Sequence, residues 1–185
     1  GFSGRLIADA SAAKYINTPE TAVFRKNRLL YGLDRARQQL REQGEAVVCE
    51  GQLDVIACHR AGVTQAVAPQ GTAFTEAHAR MLRRYTDRVA FAFDADAAGE
   101  KAAVRSIKTA LEAEVTPAVI LLPEGTDPDG LYREGGAAAV TDVMKKEQDA
   151  FDFVLDLSRK RHKDDSPEAR SNVVRELLEL VACIH

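Results

Sequence analysis

Three short segments of this chain each carry two carboxylates where an apolar run ends or has just ended. They are Glu50 and Asp54 in Cys-Glu-Gly-Gln-Leu-Asp, Asp94 and Asp96 in Phe-Ala-Phe-Asp-Ala-Asp, and Asp127 and Asp129 in Gly-Thr-Asp-Pro-Asp-Gly. In an open α/β sheet the crevice at the carboxyl ends of the strands is where ligands bind. If the three preceding strands are neighbours, the six acids share that crevice. Like charges raise one another's pKa, so such a cluster does not stay fully ionised unaided. A divalent cation with oxygen ligands relieves the repulsion, and Mg²⁺ or Mn²⁺ suits this ligand set.

Positioning them requires strands alternating with helices. Ala46–Cys49, Gln65–Ala68, Arg88–Phe93 and Pro117–Leu122 read as short buried strands. Helical spacing is expected over Phe24–Gln43, Leu53–Ala61, from a Thr75 cap to about Tyr85, and over Ala98–Glu114. That alternation predicts an α/β fold with a mostly parallel sheet flanked by helices. Glu50 and Asp94 lie 44 residues apart, the length two strand–helix crossovers need. After Gly135-Gly136 the pattern turns helical: Ala137–Glu147, Ala150–Lys160 and Ser166–Ala182. We expect residues 1–45 to be a basic segment packed on the core, 46–147 the α/β domain, and 148–185 a helical C-terminal segment.

Each motif also has a plain structural reading. Asp-x-Asp is often a helix cap plus a turn acid, and Asp127-Pro128-Asp129 is turn chemistry. Gly51 permits close backbone approach or an unusual φ. Gly99 opens the helix after Asp96, where backbone N–H groups stand ready for a phosphate. A lone helical His78 is most simply a surface or capping group.

The 185 residues are 45% hydrophobic and 29% charged, ordinary for a globular protein, and carry a net charge of −3. Residues 1–45 hold eight Lys/Arg against five acids, a basic flank suited to polyphosphate and equally to a solvated helix surface. Cys49, Cys58 and Cys183 form no Cys-x-x-Cys, so neither a zinc knuckle nor a disulfide framework is indicated, and a reducing cytoplasm is the expected compartment. No apolar run suggests a membrane span or a signal peptide. A first residue other than Met and an abrupt end on Cys-Ile-His suggest a fragment.

Taken in order, Glu-Gly-x-x-Asp and Phe-Asp-x-Asp-x-Ala-Gly resemble the Toprim domain of primases, topoisomerases and some nucleases. Lys14-Tyr15-Ile16-Asn17-Thr18-Pro19-Glu20-Thr21 with Phe24, Lys26 and Leu30-Tyr31-Gly32-Leu33 resembles the block preceding Toprim in bacterial DnaG-type primases. Gly71-Thr72-Ala73-Phe74-Thr75 with His78, and Leu122 to Asp129, resemble that family's later loops, so the likeness spans residues 12–135. It implies a Toprim-type sheet and DNA-templated synthesis of RNA primers by metal-dependent nucleotidyl transfer. Glu50, Asp94 and Asp96 would be catalytic and metal-site acids, joined by Asp127, Asp129 and a supporting Asp54. Lys14, Asn17 and Lys26 would face nucleotide or nucleic acid, with Gly51, Gly71, Thr72, His78 and Gly99 supporting the site. Implied partners are single-stranded DNA template, NTPs, the RNA primer, and a replicative helicase through a region outside these residues, as is the family's zinc module. Ala95, Ala97, Gln52-Leu53 and Pro69-Gln70 depart from the commonest family forms, but no acid is lost. Another Toprim enzyme, a topoisomerase or nuclease, or a non-catalytic nucleic-acid-binding module remain open. Topoisomerases need a nucleophilic tyrosine, and Tyr15, Tyr31, Tyr85 and Tyr132 lack an obvious catalytic setting.

Overall fold

A computed structural model describes residues 2–5, 15–22, 24–162 and 166–184. Its centre is a six-stranded sheet built from β3 (Leu30–Tyr31), β4 (Ala46–Cys49), β5 (Ala66–Pro69), β6 (Arg88–Ala92), β7 (Thr116–Ile120) and β8 (Glu147–Asp149). The spatial order is β3-β5-β4-β6-β7-β8. The middle four strands are mutually parallel, and β3 and β8 close the two edges antiparallel. A separate antiparallel pair, β1 (Ser3–Arg5) and β2 (Tyr15–Asn17), lies outside this sheet.

The middle strands are buried on both faces, and their continuous apolar runs reflect that. On one face lie α1 (Leu33–Gln43), α3 (Glu76–Leu82), α4 (Ala97–Glu112) and α6 (Ala150–Arg161), whose Leu40, Leu82, Ile107 and Val154 join Val48, Val67, Val89 and Phe91 in one core cluster. On the other lie α2 (Gln52–Arg60) and α5 (Pro128–Met144), packed on each other and on Val47, Ala90 and Ala118. Helix α7 (Pro167–Val181) rests on α6 and buries Leu180.

Three expectations need correction. Phe24–Gln43 is not one helix: Lys26–Arg28 is a single 3-10 turn, Leu30–Tyr31 is strand, and α1 starts only at Leu33. Gly32 sits at φ 82°, a left-handed conformation that ends the strand and opens the helix. The apolar spacing seen in the sequence therefore serves two elements. The second correction is at α5, which begins at Pro128 rather than Ala137; a proline at the first helical position after an Asp cap is a favoured start. Gly136, at φ 66°, divides it into two helical pieces. The third is β8, an edge strand of polar residues that periodicity does not reveal. Hydrogen bonds of the sheet thus run across both residue 45 and residue 147.

His78 ties the early chain to this frame. It is fully buried, not a surface group. Its Nδ1 accepts from the Thr75 amide at 3.2 Å, and its Nε2 lies 3.0 Å from the Lys26 carbonyl oxygen, to which it donates. An accepting Nδ1 and a donating Nε2 make a neutral ring in one tautomer, and burial lowers its pKa.

Gly32 has no room for a side chain, since a Cβ there would lie 2.9 Å from Val55 Cγ1 and 3.2 Å from the Ala66 carbonyl oxygen. Gly32→Ala is expected to lower stability by about 1–3 kcal/mol, read as a lower midpoint in urea unfolding with an unchanged slope.

Candidate active site

Strands β4, β6 and β7 are consecutive neighbours, so the three acidic segments leave the sheet side by side. Each then enters a helix in its own way. Asp54 lies in the first turn of α2 and accepts the Gly51 amide at 3.0 Å. Asp96 caps α4, accepting the amides of Ala98 and Gly99 at 2.8 Å each. Asp127 caps α5, accepting the Gly130 amide at 2.6 Å. The capping reading is therefore true of Asp96, and Asp127, expected as a turn residue, is a cap as well; this fixes where their side chains start from.

A cleft of about 370 Å³ is lined by Glu50, Asp54, Asp94, Asp127 and Asp129, and no lysine or arginine is among the described residues that line it. Glu50 Oε1 accepts the Asp94 amide at 3.1 Å, which joins the ends of β4 and β6 directly. Asp54 is the deepest acid, 8% exposed, and its Oδ1 lies 3.4 Å from the Asp129 amide. Burial, then Asp127 and Asp94, push its pKa up to about 7 against two amide hydrogen bonds that lower it. Glu50 is also raised, by burial first and then by Asp96 and Asp127. Asp96 is close enough to act on Glu50 but lines the neighbouring cleft, with Glu124 and Lys160, and Asp94 borders both. Asp129 is held by Arg133 at 2.5 Å, one helical turn on.

The donor set fits a hard divalent cation: five mutually repelling carboxylates, with the side-chain oxygens of Ser3, Asn17, Gln52 and Gln70 in the same lining. Among the described residues no three acidic, histidine or cysteine side chains converge on one point as they stand, so coordination requires side-chain rotation. Asp96 and Asp127 accept their cap amides through Oδ1, so a metal on Oδ2 would leave the caps intact.

The glycines set the clearances. A methyl on Gly99 would overlap the Asp94 carbonyl oxygen, so only glycine lets α4 start this close to β6. Gly71, at φ 63°, lies against the Asn17 side chain, and both line the acidic cleft. Gly51 is extended at φ −134° and needs no unusual backbone. Thr72 is exposed and does not line the cleft, and His78 serves the frame as described. Lys26 is half-buried and holds its segment by its backbone, donating to Glu20 and accepting from His78. Lys14 lies outside the described residues. Sequence reasoning did not single out Ser3, which also lines the cleft and carries no motif signal.

The fold has relatives among known proteins. A family model described as Toprim-like matches residues 47–132, and one described as DNA primase catalytic core, N-terminal domain, matches residues 1–37. DNA primase of Streptomyces coelicolor is 39% identical over 190 residues, covering 100% of this chain and 30% of its own length. DNA primase of Deinococcus radiodurans is 38% identical, covering 96% of the chain and 31% of its own length. The chain thus spans under a third of these relatives. Among solved structures, a DNA primase domain from Pseudomonas aeruginosa superposes with a TM-score of 0.86 at 35% identity, over 98% of this chain and 58% of that one. A DnaG primase catalytic domain bound to single-stranded DNA gives 0.82 at 33% identity, over 98% and 59%. The two family models, the relatives and the structural likeness point the same way, and the chain belongs to the DnaG-type primases, carrying the Toprim-type portion of their RNA polymerase domain.

Proposed function

We propose that this chain provides the acidic centre of a DNA primase, where a 3′-hydroxyl attacks the α-phosphate of an incoming NTP on a single-stranded DNA template and pyrophosphate leaves. The observation that carries the reading is the cleft itself: carboxylates from three adjacent strand ends, with burial first and then the neighbouring Asp127 and Asp94 pushing the Asp54 pKa up to about 7. Mg²⁺ or Mn²⁺ bound there supplies neutralisation of phosphate charge and alignment of the attacking and leaving oxygens. Glu50, Asp94 and Asp96 are the acids we assign to catalysis, with Asp127 and Asp129 completing the ligand set. Asp54, pinned between the Gly51 and Asp129 amides, keeps the α2 and α5 segments in register beneath them. Asn17, against Gly71 at the cleft wall, is positioned to donate its amide to a nucleotide. Lys26, and Lys14 by its place in the sequence, are assigned to phosphate as point charges. The template, NTPs and nascent RNA primer are the partners this reading requires.

In the full-length protein, Asp94→Asn with Asp96→Asn is expected to abolish primer synthesis in a labelled-NTP incorporation assay. Asparagine keeps the helix-capping oxygen, so the melting temperature should fall by no more than a few degrees. Synthesis retained near the wild-type rate would remove these acids from the reaction.

The metal-free chain carries a second expectation. Asp54 binds its proton in the folded state up to about pH 7, far above an unfolded aspartate. The native state therefore holds more protons than the unfolded chain between pH 4 and pH 7. Stability in EDTA should fall as pH rises through that window and level off above it. Thermal unfolding from pH 5 to pH 8 should show this slope, Asp54→Asn should flatten it, and Mg²⁺ should raise the melting temperature most at pH 8.

A further inference from the structure

Asp129 is held differently from Glu50, Asp54, Asp96 and Asp127. Those four accept backbone amides: Glu50 that of Asp94, Asp54 those of Gly51 and Asp129, Asp96 those of Ala98 and Gly99, Asp127 that of Gly130. An amide orients a carboxylate and leaves its charge in place. Asp129 Oδ2 instead meets Nη2 of Arg133 at 2.5 Å, and a guanidinium neutralises the acid it holds. The Asp129 side chain is 22% exposed and that of Arg133 67%, and Arg133 is not one of the residues lining the cleft. The acid belongs to the cleft while its counter-charge stands outside.

A divalent ion does not share Asp129 with that guanidinium without penalty. A carboxylate bridging the two would set a double and a single positive charge about 5 Å apart, where repulsion is felt even in water. The pair itself is weak, because solvent screens ion pairs this exposed. An ion ligated by several carboxylates therefore takes Asp129 from Arg133, and the arginine swings into solvent. A role for Arg133 in fixing Asp129 for the ion has less to stand on. The first turn of α5 and the amide on Asp54 Oδ1 already seat Asp129, and so exposed an arginine adds little constraint. Among the described residues the acids do not converge as they stand, which fits a site with one ligand held back.

We propose that Arg133 is a resident counter-cation, a latch on Asp129 that the divalent ion displaces as the site assembles. Arg133 is a positioning residue in this scheme: it acts through Asp129 and touches no reacting atom. It offsets charge in the metal-free cleft and raises the ion concentration at which the carboxylates come together. The inference rests on the polymerase reading for the presence of a divalent ion at these acids.

The test is titration of the whole chain with Mn²⁺, without nucleotide, reading the free ion by electron paramagnetic resonance at about 0.15 M salt. Arg133→Gln should bind Mn²⁺ about three- to tenfold more tightly than the wild type, because the competing pair and its repulsion are both gone. Arg133→Lys keeps the charge on a side chain of similar reach and should stay within about twofold of the wild type. Arg80→Gln removes a pair of the same spacing, with Glu76 on α3, and makes the same change of net charge; it should leave the affinity unaltered. A second readout follows the guanidinium itself. The Arg133 Nε–H cross-peak in ¹⁵N NMR, assigned by its loss in Arg133→Gln, should move on adding Mg²⁺ toward the position of unpaired arginines. Its midpoint should match that of the backbone signals of the cleft. Unchanged or weaker Mn²⁺ binding by Arg133→Gln, an equal gain in Arg80→Gln, or an Arg133 signal that stays put while the cleft signals move would each overturn the latch and leave the carboxylate reading intact. Absence of Mn²⁺ binding by both the wild type and Arg133→Gln would overturn the metal reading itself, and the latch with it.

Discussion

The hydrogen bond from the Asp94 amide to Glu50 is the joint on which the site depends. It links the ends of two adjacent parallel strands and holds one carboxylate of the cleft in place before any ligand arrives. Without the β4–β6 pairing that brings those ends together, the acids of the first and second motifs would be unrelated turns. With it, charge crowding follows, and burial adds to that crowding at Asp54 and Glu50. A fold that concentrates like charge in this way is destabilised by its own function and must be compensated by its core.

That compensation comes from two apolar layers. The cluster containing Leu40, Phe91 and Ile107 fixes α1 and α4 against one face, and the cluster containing Val47, Val55 and Leu131 fixes α2 and α5 against the other. Close approach is part of the same arrangement: Gly99 seats α4 on the backbone that carries Asp94, and Gly32 lets the edge strand turn beneath Val55. Cys49 and Cys58, with sulfurs 3.8 Å apart directly under the cleft, serve as small core residues; their mutual hydrogen bond, then burial, push the Cys49 thiol well above its usual pKa.

Much of this was legible in the sequence because it rests on local signals. The strand end at Cys49, and that of β6 to within one residue, follow from unbroken apolar runs, and the Asp-x-Asp capping role follows from side-chain chemistry that acts within three residues. The two edge strands were not legible. Leu30–Tyr31 is too short to show a period of two and its leucines also fit a helical spacing, while Glu147–Asp149 is polar because it faces solvent. Nor could spacing reveal that Arg133 takes hold of Asp129, or that His78 reaches back 52 residues to Lys26, since both depend on how packed elements meet.

The break in α5 at Gly136 has a consequence for how this architecture tolerates change. In a continuous helix, one inserted residue rotates everything beyond it by about 100°. Here the piece bearing Asp127 and Asp129 is anchored by Leu131, and the piece beyond the break by Val140 and Val143. An added residue at the glycine pair would be absorbed as slack rather than transmitted as torque, leaving the upstream carboxylates in their original bearing while the downstream half varies in length.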